Sequence, residues 1–329
     1  MSKECDRLNA AINPEIRTSD VFRFNNSMGE LIDGNENVLG QIDKRVKVEV
    51  GRYCYELVLK SIEYYSETEY AFSITVDGLM KKWSVDAHSL EKIDRGEATG
   101  PFPTEEEILI ETQGVQNPFL IEPLVENGKY YLVKDSIDTK IDLGGIAKGY
   151  LADRLAAIAT ERGVKAALID VGGTLRLIGL KPKSESWKVG VREPEKNSID
   201  YLCALNLPSG TAVATSGSYE RGYYENGLLV CHIINPQSGL PITVERDMLG
   251  AFVPSTTYVQ SATVWGASAE TCDVLSTASC VLGASVAPII KANGYNAVLF
   301  TVDGYMYVIG SADFIAGFNG YEAYERVNL

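Results

Sequence analysis

The chain has 329 residues, 45% hydrophobic and 22% charged, with a formal net charge of −14. That length can bury a large core and allows one or two domains. The negative balance argues against nonspecific binding to nucleic acid or to an anionic membrane surface, so an anionic substrate would need a cation or backbone amides to meet it. No run of ~18 apolar residues stands out, so no membrane-spanning helix and no stable membrane insertion are expected. Residues 1–20 are polar and carry no signal-peptide core. The chain reads as cytoplasmic as written, and as exported or anchored if a leader precedes it. The six cysteines form no C-x-x-C and there are only two histidines, so a Cys/His zinc site is not expected and the thiols read as small apolar residues.

In chain order, residues 4–12 read as the last turns of a helix ended by Asn13–Pro14. Thr18–Asn25 is a short polar and apolar segment, 28–37 a loop, and Val46–Val50 a short strand. Apolar residues at helical spacing predict an amphipathic helix over Tyr53–Ser66. Glu69–Val76 reads as a strand, with Leu79, Met80 and Trp83 continuing an apolar face. The charged, Gly- and Pro-containing stretch 84–103 reads as a long surface loop. Thr104 with Glu107 forms a capping box opening a helix to about Thr112. Residues 119–143 read as strands around an Asn127–Gly128 turn.

Thr139–Leu155 then reads T-K-I-D-L-G-G-I-A-K-G-Y-L-A-D-R-L. A β-type run over Ile137–Leu143 meets Gly144–Gly145, and Ala147, Leu151, Ala152 and Leu155 set a helix that runs to Arg162 and stops at Gly163. Short strands are predicted at Ala166–Ile169, Leu175–Ile178, Trp187–Val191, Tyr201–Leu207, Val213–Thr215, Leu228–Ile234 and Ser261–Trp265, with a polar loop at 193–198. A helix over Ser268–Leu282 ends at Gly283, Ala287–Ala292 adds a turn or two, and Ala297–Thr301 pairs with Tyr305–Ile309 around Asp303–Gly304. Strands and helices mix without strict alternation and without internal repeats, which predicts an α+β fold.

Three features could carry chemistry. A glycine pair at a helix start, followed by Lys148, suits an anionic phosphate; the same glycines also fit a plain strand-to-helix turn. Asp273 and Thr277 share one helix face, and an acid and an alcohol one turn apart suit a hard cation such as Mg2+; they equally fit a helix-dipole contact and a back-bonded threonine. His232, in V-C-H-I-I-N-P, has a suitable unperturbed pKa for a general base, or is a structural strand histidine. Gly172–Gly173 and Ser216–Gly217 add two small-residue points at strand ends, and together these features favour a nucleotide site.

Five segments occur in order: D-L-G-G-I-A-K-G-Y-L-A-D (142–153), D-V-G-G (170–173), A-T-S-G-S-Y-E-R (214–221), H-I-I-N-P-Q-S-G-L-P (232–241) and D-V-L-S-T (273–277). The set resembles the ApbE family, the FAD:protein FMN transferases. S-D-V-F-R-F-N (19–25) and Y-A-F-S-I-T-V (70–76) resemble its N-terminal motifs, so the likeness covers essentially the whole chain. The resemblance implies one α+β, T-fold-like domain of mixed sheets flanked by helices over 1–329. It also implies that a first strand with a G-T motif precedes this start. It implies Mg2+-dependent cleavage of the FAD pyrophosphate, transfer of FMN to a Thr or Ser hydroxyl of an acceptor protein, and release of AMP.

By matching positions, the resemblance implies that Asp273 and Thr277 hold the metal with main-chain oxygens near Gly145 and Ala147, and that His232 activates the incoming hydroxyl. Asp142, Lys148, Ser216 and Gly217 fall in the nucleotide-binding motifs, Ala71, Phe72 and Ser73 line the flavin, Ile234 contacts the nucleotide through its backbone, and Asn25 lies near it. Ser73 stands where the family's A-F-D segment has aspartate, Thr174 where G-G-D is common, and Asn235 where H-I-I-D-P has aspartate. An FAD pyrophosphatase on the same scaffold, or a flavin-binding protein without turnover, are the competing expectations.

Overall fold

The computed structural model describes residues 2–36, 42–97, 99–112, 117–195, 198–315 and 320–329. The parts of the expected loops that fall at 37, 98 and 196–197 lie outside the described residues. The chain divides into two compact units that interleave in sequence. One comprises Met1–Asp86, Thr99–Gly145 and Pro236–Gly239; the other comprises Ala87–Ala98, Ile146–Asn235 and Leu240–Leu329.

The first unit is built on a four-stranded antiparallel sheet, in spatial order Glu30–Glu36, Ile42–Val50, Lys129–Lys134 and Ile121–Glu126. The alternation of Val46, Val48 and Val50 buries one face of its second strand. Helix Arg52–Glu67 turns Cys54, Leu57, Val58 and Ser61 inward at three- and four-residue spacing, as its pattern predicted. Helix Glu105–Ile110 carries the expected capping box, with Thr104 and Glu107 bonded reciprocally.

Three local expectations fail in this unit. The stretch 28–37 contains a strand, Glu30–Glu36: a polar edge strand needs no apolar alternation when its neighbour supplies the ladder. Glu69–Val76 is not a strand; Glu69 and Tyr70 take positive φ of 51° and 68° and turn the chain after the helix. Ile137–Leu143 is not a strand either, because side chains bind its backbone in place of a ladder. The Asn25 amide brackets Ile141, and the fully buried Lys134 ammonium donates to the carbonyls of Ile137 at 3.0 Å and Thr139 at 2.8 Å.

The second unit is organised by a seven-stranded sheet. Its spatial order is Glu325–Asn328, Tyr305–Ile309, Asn296–Thr301, Val259–Gly266, Ala212–Gly217, Thr174–Ile178 and Ala167–Val171. All neighbours are antiparallel except the first pair. Period-two alternation fills both faces. Ala212, Ala214, Ala262, Val264, Ala297 and Leu299 face helix Ala269–Leu282 and its continuation. Val213, Trp265, Val298 and Phe300 face the Trp187–Arg192 and Tyr201–Leu207 hairpin. Part of the expected 84–103 loop is helix Ala87–Asp94, which buries none of its residues; its apolar repeat, Ala87, Leu90 and Ile93, covers only two turns among charged, Gly and Pro residues and was too short to mark it.

Among the described residues one stretch, Ala269–Ala292, is long and apolar enough to cross a membrane by length and composition alone, but 61% of its most apolar 18-residue window is buried inside the protein, as a core helix is. Its Ala, Ser, Thr and Cys residues dilute Glu270 and Asp273, and they allow the close approach of a core helix to strands Ala212–Gly217 and Val259–Gly266.

Candidate active site

Ser268 caps helix Ala269–Leu282, its hydroxyl accepting from the Thr271 amide at 3.3 Å. Asp273 follows in the second turn with 1% exposure. Its carboxylate reaches across to helix Gly144–Glu161: Oδ2 accepts from the Gly149 amide at 3.0 Å, and Oδ1 lies 3.5 Å from the Lys148 ammonium. Burial pushes the Asp273 carboxyl above the usual range, while Lys148 and the Gly149 amide pull it back. One turn on, the Thr277 hydroxyl donates to the Asp273 carbonyl at 3.2 Å. Ser216, from strand Ala212–Gly217, sets its hydroxyl 3.2 Å from that of Thr277 and 2.8 Å from that of Ser276. The structure therefore brings Lys148, Asp273, Thr277 and Ser216 together, and Gly145 and Ala147 lie in the first turn of the Lys148 helix.

Gly149 and Asp153 were quoted in a motif but given no role by the sequence. A Cβ on Gly149 would lie 2.3 Å from the Ala269 carbonyl oxygen, so only glycine lets the two helices meet. The available signal was a glycine inside a helical pattern, which is unfavourable unless packing requires it. Asp153 accepts from the Ser268 hydroxyl at 2.9 Å and the Glu270 amide at 3.1 Å, and its other oxygen meets Arg176 at 3.0 Å. It fixes the start of the Asp273 helix against the Lys148 helix. Gly149→Ala is expected to cost about 1–3 kcal/mol of stability by forcing the helices apart, measured by urea unfolding; unchanged stability would refute the close-packing account.

His232 follows strand Leu228–Cys231 and is part-buried. Its backbone amide and its ring Nδ1 both lie 3.1 Å from the Arg221 carbonyl. A carbonyl only accepts, so the proton is assigned to Nδ1, and Nε2 is left as the basic nitrogen. Loss of hydration and the positive charges of Arg221 and Lys148 push the imidazole down to about 4. Ile234, 5% exposed, bridges Pro241, and the Asn235 amide donates to the Leu240 carbonyl, which closes the loop after His232. Gly217 is needed for packing, since a Cβ would lie 2.3 Å from the Tyr219 ring.

The expected flavin-side residues Asn25, Ala71, Phe72, Ser73 and Asp142 lie in the first unit. Asn25 Nδ2 donates to the Ile141 carbonyl at 2.9 Å and Oδ1 accepts from the Ile141 amide at 2.8 Å. The next amide, that of Asp142, donates to the Ile74 carbonyl at 2.7 Å. Asn25 thus holds Asp142 beside the buried Ala71–Ser73 segment, where the Ser73 and Thr75 hydroxyls lie 2.9 Å apart. Asp142 Oδ1 accepts from the Gly144 amide at 2.8 Å, at the start of the helix. Asn25→Leu is expected to cost about 2–3 kcal/mol, because both buried Ile141 groups lose their partner, read as a fall in the urea midpoint. An unchanged midpoint would refute the pinning role.

The donors suit a magnesium-like ion. Among the described residues no group of three His, Cys, Asp or Glu side chains gathers, so any ion there would rely on hydroxyl and main-chain oxygens beside a single carboxylate. One nearly inaccessible carboxylate beside hydroxyls suits instead an ion that completes its shell with water and substrate phosphate. The fully buried Thr174 hydroxyl lies close enough to Asp273 to favour its charged form, yet has no hydrogen-bond partner of good geometry. Such an orphaned polar atom beside a buried carboxylate fits a site built for a further polar group.

A family model described as the ApbE family matches residues 1–299. The chain belongs to the ApbE family. Among its relatives, an FAD:protein FMN transferase of Salmonella typhimurium is 30% identical over 209 residues, which is 63% of this chain and 55% of the relative. One from Escherichia coli strain K12 is 29% identical over 260 residues, which is 76% of this chain and 65% of the relative. The chain thus spans between about half and two thirds of the length of these curated relatives. The crystal structure of the ApbE protein from Thermotoga maritima superposes with a TM-score of 0.71 at 26% identity, covering 93% of this chain and 86% of that one. The ApbE-type α+β fold expected from the motifs is therefore the fold observed.

Proposed function

We propose that this ApbE-family chain is an FAD:protein FMN transferase. It would take FAD as substrate, move FMN to a Thr or Ser hydroxyl of an acceptor protein, and release AMP. The observation that carries the reading is the buried Asp273 carboxylate reaching from one helix to Lys148 and Gly149 on another, with the Thr277 hydroxyl one turn away.

Asp273, Thr277 and the main-chain oxygens of Gly145 and Ala147 would hold Mg2+. Bound there, the ion would stabilise charge on the phosphoryl oxygens and on the AMP leaving group. Lys148, half-exposed and beside Asp273, would add a positive charge to offset that of the phosphates. His232 Nε2 would take the acceptor hydroxyl's proton as that oxygen attacks phosphorus and the pyrophosphate P–O bond to AMP breaks. Ala71, Phe72, Ser73 and Asp142 would bind the flavin part, with Asn25 holding Asp142 in place; Gly217 and Ile234 would flank the nucleotide, while the Ser216 hydroxyl is turned to Ser276 and Thr277.

Incubation with FAD, Mg2+ and an acceptor carrying a flavinylation motif tests this. The expected result is an FMN-sized mass increment on the acceptor with one AMP released per increment. Free FMN and AMP without a protein adduct would instead identify a pyrophosphatase, and FAD binding without AMP release would refute both enzyme readings.

A further inference from the structure

Thr277 can hold a cation only if its oxygen lone pairs face the ion, which makes the direction of its proton decisive. The helix alone offers that proton one acceptor, the Asp273 carbonyl at 3.2 Å. Ser276 donates to the same carbonyl at 2.9 Å, so its own proton is committed there. Ser216 has a single proton, and its shorter contact is the 2.8 Å one to Ser276 rather than the 3.2 Å one to Thr277. Donation to Ser276 leaves the Ser216 oxygen as an acceptor facing Thr277. Both acceptors open to the Thr277 proton then belong to the protein, and its lone pairs are left for the ion. Ser216 can do this because it lies in a central strand, opposite Ala262 in the antiparallel ladder, rather than on a loop.

We propose that Ser216 is a positioning residue for the metal site, acting through Thr277: its hydroxyl, locked to Ser276, turns the Thr277 proton away from the cation. This rests on the transferase reading, since that reading supplies the metal. It assigns Ser216 a different task from the nucleotide contact implied by its motif.

The test uses Mn2+ as the probe, titrated into protein with FAD and followed by the electron paramagnetic resonance of the free ion. The His232→Ala background, with no acceptor protein present, slows turnover by roughly 10²–10⁴-fold during the titration. Ser216→Ala is expected to weaken Mn2+ binding about 10-fold, the lower end of the effect of losing a partner that orients a ligand. Metal-free FAD binding, read by flavin fluorescence, should stay unchanged. Ser216→Cys keeps the packing with a weak donor and acceptor, so it should behave like alanine even if Ser216→Ala folds poorly. Ser216→Thr keeps the hydroxyl and should return the affinity to within about 3-fold of the parent. Unchanged Mn2+ affinity in the Ala and Cys variants overturns the proposal. So does weaker FAD binding with unchanged Mn2+ binding, which would make Ser216 a flavin contact. Failure of the parent to bind Mn2+ at all would overturn the metal reading, and this inference with it.

Discussion

Replacing His232 by alanine is expected to lower the rate of FMN transfer by roughly 10²–10⁴-fold, the usual worth of a positioned general base, while leaving FAD binding intact. The Arg221 carbonyl takes both the backbone amide and Nδ1 of His232, so ring orientation and tautomer are set by one main-chain atom. The acid limb of the activity profile should then lie near the depressed value of about 4 rather than at the ordinary 6.5. The sign for stability follows. Between those values the unfolded chain binds more protons at this position than the folded one, so stability falls as pH is lowered through the window and is fully present above about 6.5. Rapid-quench measurement of AMP release on both sides of about pH 4 checks the activity limb, and urea unfolding through the window up to about pH 6.5 checks the stability sign. A His232→Ala variant with near-parent rates would remove histidine from the mechanism.

Asp273→Asn should separate stability from function. Its carboxylate is held at 1% exposure with one amide donor and an ammonium at 3.5 Å. An incompletely paired buried charge is unfavourable in the metal-free fold. Asparagine keeps the shape and can still accept from the Gly149 amide. The metal-free melting temperature is therefore expected to hold or rise by about 1–2 °C, as a gain near 1 kcal/mol gives in a chain of 329 residues. Transfer should fall by roughly 10³-fold, as loss of a charged metal contact in a water-poor site implies, and Mg2+ should no longer raise the melting temperature. Calorimetry with and without Mg2+, beside the acceptor mass assay, reads all three. A variant that melts lower without metal, or that keeps its Mg2+ response, would show that Asp273 is a structural acid.

Gly149 and Asp153 show why part of the site escaped the sequence. Both stand inside motifs that were singled out, yet their tasks depend on Ala269, Glu270 and Ser268, more than a hundred residues away in the chain. Asn25 is a similar case: a nucleotide-side position by motif, it is a double hydrogen bond to Ile141 by geometry, 116 residues on. The edge strand Glu30–Glu36 was illegible because it has no apolar rhythm to read, and the helix Ala87–Asp94 because its repeat of Ala87, Leu90 and Ile93 spans only two turns of a charged stretch.

What the sequence determined alone is short-range. The Thr104 capping box, the Ser268 cap, the stops at Gly163 and Gly283, the hairpin at Asn127–Gly128 and the amphipathic face of Arg52–Glu67 all follow from interactions within a turn or two. It also placed Asp273 and Thr277 on one helix face, because helical geometry needs no partner. Only the tertiary structure decided that the Asp273 carboxylate would meet Gly149 across 124 residues, and that Ser216 would stand beside Thr277 across 61. A buried polar group takes its energy from whichever donor the folded chain delivers to it, and no local pattern carries that information.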